Sequence, residues 1–472
     1  MLKIQEILIM SEKPVHSSAY RLRRFINWFP MGLTYAFLYM GRYNLTVSKN
    51  ALGDLMSKSD FGIIFFWGTL TYAFAFLING PLTDRIGGRK GMLIASFGAG
   101  TMNMLMGIFL YLMLMKSLSV QLLVIIFSIL YSLNMYFQSF GAVSIVKVNS
   151  HWFHVRERGT FGGIFGILIS LGIYFAFDWG NAIITATKAA ITSGELNWVQ
   201  EVLRQMTGVD GSMNEVWWVF FIPALVLYVF FLIEFFILRD SPAGAGLKDF
   251  DTADASSGEE HVTFSAWQII KKILSNPVII TVACIEFCTG VLRNGVMHWY
   301  LIYAKEKLLP AAQFMLDNWG LILMIAGSTG GLVAGWMSDK VFGSRRAPVA
   351  ALLYGLIFLS TIGMSFSLGP DLNPLILGTM VTLISFAVIG THGMLSGTAT
   401  MDFGGRKGAA TAVGLIDGFV YLGTGVQSIS LGFITEWNWA FWPVFLIPFS
   451  IIGLVLLIRI WNAFPKGKSG GH

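Results

Sequence analysis

The sequence predicts an all-α integral membrane protein with twelve transmembrane helices in two pseudo-symmetric six-helix halves. Three observations predict it. The 472 residues are 55% hydrophobic and only 12% charged, against about 25% charged in a soluble domain. Apolar stretches of about 20 residues, long enough to cross a hydrocarbon core, recur along the whole chain. Landmarks in the first half return in the second at a nearly constant offset.

The expected spans fall near 25–48, 60–83, 91–115, 120–148, 158–180, 216–238, 277–303, 313–337, 347–367, 374–400, 407–433 and 438–461. They divide the chain into a terminal segment 1–24, a six-helix half 25–238, a linker 239–276, a second half 277–461 and a tail 462–472. Twelve spans put both termini on one side. The N-terminus, even-numbered loops and C-terminus, with the span ends Arg158, Lys407 and Arg459, carry 22 Lys and Arg. The odd-numbered loops carry 7: Lys49, Lys58, Lys116, Lys188, Arg204, Lys305 and Lys307. Cytoplasmic loops are the ones enriched in Lys and Arg, so both termini are expected in the cytoplasm of a plasma (inner) membrane protein. The net charge of +6 sits mainly in short loops, where it sets topology, and gives no reason to expect nucleic acid as a partner. The opening MLKIQEILIMSEKP has too short an apolar run for a cleavable signal. Cys284 and Cys288 lie four apart in one apolar span and read as small buried hydrophobes.

The linker contains SPAGAGLKDFDTADASSGEEHV, whose Gly, Ser and Asp content suits a flexible connection. The fifth loop, 178–215, is also long, and ELNWVQEVLRQM (195–206) has the spacing of a short amphipathic helix. A solvated cover over the outer mouth is the plain reading of it.

Two arginines interrupt apolar segments at matching places: Arg42 in YAFLYMGRYNLTV and Arg293 in IEFCTGVLRNGVMHWY. An Arg at the centre of a membrane helix costs roughly 2.5–3.5 kcal/mol on insertion scales. Its guanidinium stays charged and offers a planar fork of donors suited to phosphate or carboxylate. The pair points to a central anion site. The alternative is that each arginine is neutralised by its own carboxylate. Glu286, two turns before Arg293, and Asp417 in the eleventh span are the candidates.

The repeat links the two halves. The second loop reads GPLTDRIGGRK (80–90) and the eighth GWMSDKVFGSRR (335–346). Each has Gly, an acid four residues on, then a base, a Gly and a basic pair. Asp84 and Asp339 lie 255 positions apart, and Arg42 and Arg293 lie 251 apart. ERG (157–159) and GRKG (405–408) form a third pairing. Gly80 and Gly87 allow tight turning. Asp84 is placed to cap a neighbouring helix or to pair with Arg156 or Arg158. Arg85, Arg89, Asp339 and Lys340 complete the two copies. Contacts of this kind would hold the cytoplasmic side shut in one state; the alternative is a basic loop that only sets topology.

GPLTDRIGGRK resembles the loop signature of the major facilitator superfamily. YMGRYNL, FQSFGAVSIVKVNSHWFHVRERG, RDSPAGAGL, VLRNGVMHWY, GWMSDKVFGSRR and RKGAATAVGLIDGFVYLG resemble segments of its organophosphate:phosphate antiporter branch, in collinear order. That resemblance implies the major facilitator fold, alternating access and exchange of an organophosphate, such as glycerol 3-phosphate or a sugar phosphate, for inorganic phosphate. It assigns Arg42 and Arg293 to the substrate phosphate and places Tyr39 and Tyr72 in the pocket lining. Gln138 and Lys147 are polar residues of the fourth span, and Lys147 stands where the family has Arg; a snorkelling base at the span end is the alternative. Trp299, Tyr303 and Tyr421 are further lining candidates. His298 and His392 could titrate near neutral pH or simply be packed. Asp417, Glu286 and His392 are the residues that would serve proton coupling.

The chain departs from the branch at three places. Tyr43 stands where the family often has Lys, Phe76 where a second-span Lys is common, and Ile169 where glycerol-3-phosphate members have His. Fewer cations around Arg42 and Arg293 keep open a monovalent organic anion, a different headgroup or a proton-linked cycle. A transporter-like sugar-phosphate sensor is the other alternative. Zinc-ligand spacing, a Walker loop and a nucleophile elbow are absent from the sequence, so neither an enzyme nor a cofactor or metal is expected. One chain supplies both halves, so a monomer suffices.

Overall fold

The computed structural model of the chain describes residues 16–154, 167, 168, 170–190, 196–249, 271, 275, 277–343, 345–369 and 373–462. The side chains of Asp84, Asp339 and residues 397–413 lie outside that description. Among the described residues, helices fall within each of the twelve expected spans. The first half contains α1 (Ser18–Leu52), α2 (Lys58–Ile86), α3 (Gly88–Leu114) and α4 (Leu123–Trp152). The fifth span ends in a π-helical turn, Phe175–Trp179, running into α5 (Gly180–Ala186). The loop helix α6 (Trp198–Thr207) and the sixth span α7 (Trp218–Ile237) follow. The second half contains α8 (Pro277–Met297) and α9 (Trp299–Lys307), which share the seventh span, then α10 (Gln313–Asp317), α11 (Trp319–Lys340) and α12 (Arg346–Phe366). The tenth span is α13 (Pro374–His392), continued by a π-helical stretch Gly393–Ala399. α14 (Thr400–Trp437) and α15 (Phe441–Arg459) complete the chain.

Local chemistry sets several of these boundaries. Ser57 and Asp60 form a capping box at the start of α2, satisfying donors that a helix start leaves orphaned. Asn197 and Gln200 do the same for α6, which ends at Gly208 in the left-handed conformation. Gly87, between α2 and α3, has φ +91°, a conformation with a low cost only for glycine. Nine helical stretches among the described residues are long and apolar enough to cross a membrane. α1, which carries Asn27, Tyr35, Tyr39, Arg42, Tyr43 and Asn44 among its apolar residues, is not one of them.

Ile125, Ile129 and Leu133 are exposed at four-residue spacing on α4. An apolar face turned outward is what a lipid environment requires. The two halves meet most closely where α2 packs on α14. A Cβ on Gly62 would come within 2.6 Å of the Ser428 carbonyl oxygen, and one on Gly432 within 3.0 Å of the Lys58 carbonyl oxygen. Without a hydrophobic drive between helices in lipid, small residues that let backbones approach supply much of the association.

Candidate functional site

Arg42 is fully buried on α1. Its Nε donates to Gln138 Oε1 at 2.9 Å, Nη1 to Tyr421 Oη at 2.9 Å and Nη2 to Tyr72 Oη at 3.0 Å. The guanidinium carbon lies 4.7 Å from the Tyr39 ring centre and 4.6 Å from that of Tyr72. These partners are all neutral. The positive charge is held by dipoles and ring faces, which leaves it uncompensated by any carboxylate in its hydrogen-bond shell. Tyr421 comes from the second half, so the Arg42 shell already joins the two bundles.

A chain of amides holds that shell in place. Gln138 donates to Asn134, and Asn134 donates to the Gly41 carbonyl. Asn103 donates to Asn134 and to the same carbonyl, while Asn44 donates to Asn103 at 2.6 Å. The Tyr131 hydroxyl donates to the Arg42 carbonyl. Asn103, Asn134 and Tyr131 were not singled out in the sequence, although intramembrane amides in apolar spans were the signal available.

Arg293 on α8 is 8% exposed, and its buried Nε has no hydrogen-bond partner among the described residues. It faces the hydroxyls of Tyr43, Tyr39 and Tyr421. Tyr39 therefore presents its ring to Arg42 and its hydroxyl side to Arg293, bridging the pair. Tyr43 acts on both arginines as well, so a phenol occupies the position where the resembled branch has a lysine. Phe76 packs edge-on against Tyr72 at 4.6 Å, adding aromatic bulk where a second lysine was expected by resemblance. Ile169 lies outside the described residues.

The carboxylates suspected of neutralising the arginines bond elsewhere. Glu286 Oε2 lies 2.9 Å from His392 Nδ1. Asp417 Oδ1 accepts from the Ser396 hydroxyl at 2.5 Å. His298 is packed: its Nδ1 meets the Thr46 hydroxyl at 2.9 Å and its Nε2 meets Asn294 at 3.1 Å. Lys147 is half-buried nine residues beyond Gln138 on α4, about 13 Å along the axis.

Trp299 and Tyr303 fall in a different layer. Trp299 is buried against Phe61 and Trp439, and Tyr303 against Trp439 and Trp442. They belong to a seal across the end of the bundle that carries the odd-numbered loops. Lys58 pairs with Glu306 at 3.3 Å and covers the Trp439 ring at 4.7 Å. Glu436 accepts from the Ser59 amide and hydroxyl, and Asn50 donates to the Leu301 carbonyl. Asp178, at the end of the fifth span, accepts from the amides of Gly320 at 2.6 Å and Leu321 at 3.0 Å. It thus caps α11 from the opposite half. No sequence signal marked Asp178, since its partners are backbone groups 142 and 143 residues away.

At the opposite end the loop motif is partly visible. Asp240, from the start of the linker, accepts from the Arg89 amide at 2.7 Å and so caps α3. The Arg89 side chain donates to the Phe235 carbonyl. The capping acid in view is therefore Asp240, and Gly87 makes room for it: a Cβ there would meet Asp240 Oδ2 at 2.8 Å. Arg85 is exposed and Gly80 has no atom near its would-be Cβ. Lys340 closes α11 in its last turn. Arg156, Arg158, and the side chains of Asp84 and Asp339, lie outside the described residues, as do the ERG residues 157–159.

Helices packed around a buried pair of arginines, with apolar faces turned outward, define a polytopic membrane protein. Residues 31–428 match the family model described as Major Facilitator Superfamily, and the chain belongs to that superfamily. It is 26% identical over 475 residues to the glycerol-3-phosphate transporter of Bacillus subtilis (strain 168), covering 96% of this chain and 94% of that protein. It is 26% identical over 479 residues to a probable hexose phosphate transport protein of Chlamydia pneumoniae, covering 97% and 95%. It is also 26% identical over 460 residues to the membrane sensor protein UhpC of Escherichia coli (strain K12), covering 95% of each. Among solved structures, a bacterial homolog of the human lysosomal transporter Spinster, in an inward-facing and occupied conformation, superposes with a TM-score of 0.69 at 14% identity over 97% of this chain and all of that one. A variant of the E. coli fucose:proton symporter FucP superposes at 0.55 with 12% identity, covering 92% and 99%. This is a multi-pass membrane protein with the major facilitator fold, related to glycerol-3-phosphate and hexose phosphate transporters.

Proposed function

We propose that the protein is a secondary transporter that exchanges an organophosphate for inorganic phosphate by alternating access, in a plasma (inner) membrane with both termini cytoplasmic. The observation that carries the proposal is the arginine pair. Arg42 is buried among neutral hydrogen-bond partners, and Arg293, beside Tyr39, Tyr43 and Tyr421, keeps a buried Nε with no partner among the described residues. A phosphoryl group between them would take charge-assisted hydrogen bonds from both forks. Tyr39, Tyr72 and Gln138 position the forks and line the space between them.

Exchange follows from electrostatics. Two like charges a few Å apart repel by several kcal/mol at an effective dielectric near 20. An anion between them removes the repulsion as the halves close, so a loaded carrier crosses and an empty one stalls. With the odd-loop end sealed, this reading expects the opening to lie toward the cytoplasm. Gly80, Asp84, Arg85, Gly87, Arg89, Asp339, Lys340 and Arg158 belong to the loops that would close that side.

The test is radiolabelled phosphate uptake into proteoliposomes. Vesicles loaded with phosphate should exchange rapidly and phosphate-free vesicles should take up little. Equal uptake in both would refute the exchange mechanism. A thermal-shift panel of phosphate, glycerol 3-phosphate, glucose 6-phosphate, phosphoglycerate and non-phosphorylated organic acids identifies the headgroup. A shift only with the last group would overturn the phosphate reading. Similarity to a sensor protein favours one second reading, a receptor that binds the same ligands without moving them. It predicts ligand-induced shifts with no exchange.

A further inference from the structure

The Glu286–His392 contact forms a layer that the phosphate reading leaves unused. Glu286 precedes Arg293 by seven residues on α8, about 10 Å along the axis toward the end that carries the termini. Asp417 precedes Tyr421 by four residues on α14, about 6 Å in the same direction. His392 closes α13, at its junction with the π-helical stretch Gly393–Ala399, a distortion frequent at functional sites. The two members of the pair differ in access. Glu286 is fully buried, whereas the His392 side chain is 24% exposed. Glu286 Oε2 meets His392 Nδ1 at 2.9 Å, while the buried Oε1 has no hydrogen-bond partner among the described residues. Among the described residues, the charged groups acting on the dyad are Asp417 from α14 and Arg293 from α8 itself. Tyr354 of α12 is the nearby phenol; its hydroxyl meets the Thr289 hydroxyl and the Ile285 carbonyl.

We propose that the Glu286–His392 dyad is a proton site coupled to anion occupancy of the arginine pair. The proposal rests on the anion-binding reading above. One proton passes from water to the imidazole, and no other bond forms or breaks. Nδ1–H then donates to Oε2, and the imidazolium neutralises the carboxylate. With the proton absent, Glu286 is a buried anion with an unpaired oxygen, two turns from Arg293. It competes for the guanidinium and repels an arriving phosphoanion through a low-dielectric interior. Protonation thus frees Arg293 for the anion, and by linkage anion binding draws in a proton. The chemical class served is a phosphoanion taken together with a proton.

The test compares affinity for inorganic phosphate in wild type, Glu286→Gln and His392→Gln between pH about 5 and about 8, the range where histidine titrates. Phosphate's own titration is common to all three proteins, so ratios between them report the dyad. Glu286→Gln removes the competing charge and should bind more tightly than wild type at the alkaline end, converging with it at the acid end. His392→Gln leaves the carboxylate unneutralised and should bind more weakly at the acid end, converging at the alkaline end. The wild-type-to-variant ratio should change by up to about tenfold per pH unit, the limit for one linked proton. Parallel pH profiles in all three would overturn the dyad while leaving the arginine site intact. Absence of phosphate binding in wild type would overturn the anion reading itself, and this proposal with it. A merely structural role for either residue would shift affinity without changing its pH dependence.

Discussion

Replacing Asp178 with Ala should loosen the seal at the odd-loop end. The carboxylate accepts two backbone amides of α11, at 2.6 and 3.0 Å, from across the interface between halves. Both bonds exist only while that end is closed; once it opens, water replaces them. Loss of an N-terminal cap typically costs about 1 kcal/mol, and the negative charge at a helix N-terminus adds a contribution of about 0.3–1 kcal/mol. A penalty of about 1–2 kcal/mol on the closed state alone shifts the two-state ratio by a factor of roughly 5–30. The assay is labelling of a cysteine placed at Asn50, a half-buried member of the seal that donates to the Leu301 carbonyl. A membrane-impermeant maleimide is added from the odd-loop side of proteoliposomes. The labelling rate should rise by that same factor, roughly 5- to 30-fold, in Asp178→Ala, and by less in Asp178→Asn, which keeps one acceptor oxygen. Labelling within about twofold of the parent in Asp178→Ala would refute the idea that this cap biases the conformation.

Other outcomes test the rest of the framework. Gly62→Val puts side-chain atoms into the Ser428 backbone, where even a Cβ would sit at 2.6 Å; exchange should fall more than about tenfold, with the Asn50 cysteine label raised at the same time. Arg42→Lys retains the charge but loses the fork that reaches Gln138, Tyr421 and Tyr72; hydrogen bonds to charged groups are worth about 1.5–3 kcal/mol each, so phosphate exchange should drop at least about tenfold, while Tyr421→Phe, which removes one bond, should cost less. Asp240→Ala removes the cap of α3 and should lower the thermal midpoint with phosphate affinity unchanged; a loss of affinity would instead tie the linker to the central site.

The arginine pair was legible in the sequence because membrane burial makes a charge expensive, so an Arg in an apolar run announces itself. The partners of Arg42 were only half legible. Tyr72 and Gln138 lie 30 and 96 residues away on helices whose facing sides no periodicity fixes. Tyr421 lies 379 residues away, in the other half. Glu286 and Asp417 were readable as suspects but not as acquitted ones, since the competing bonds to His392 and Ser396 depend on how α8, α13 and α14 pack. Trp299 sat only six residues from Arg293 yet belongs to the seal, because the chain breaks at His298 between α8 and α9 and carries it into the aromatic layer with Trp439.

By itself the sequence determined the twelve apolar spans, the two-half repeat, the charge asymmetry of the loops and the presence of two costly cations. Each follows from what a hydrocarbon phase excludes, and hydropathy is additive along the chain. Only the tertiary structure decided which side chains face those cations, that Asp178 and Asp240 cap helices remote in sequence, and that Glu286 meets His392. Those contacts depend on helix rotation and on which end of the bundle is closed, and neither quantity is encoded in any local stretch of residues.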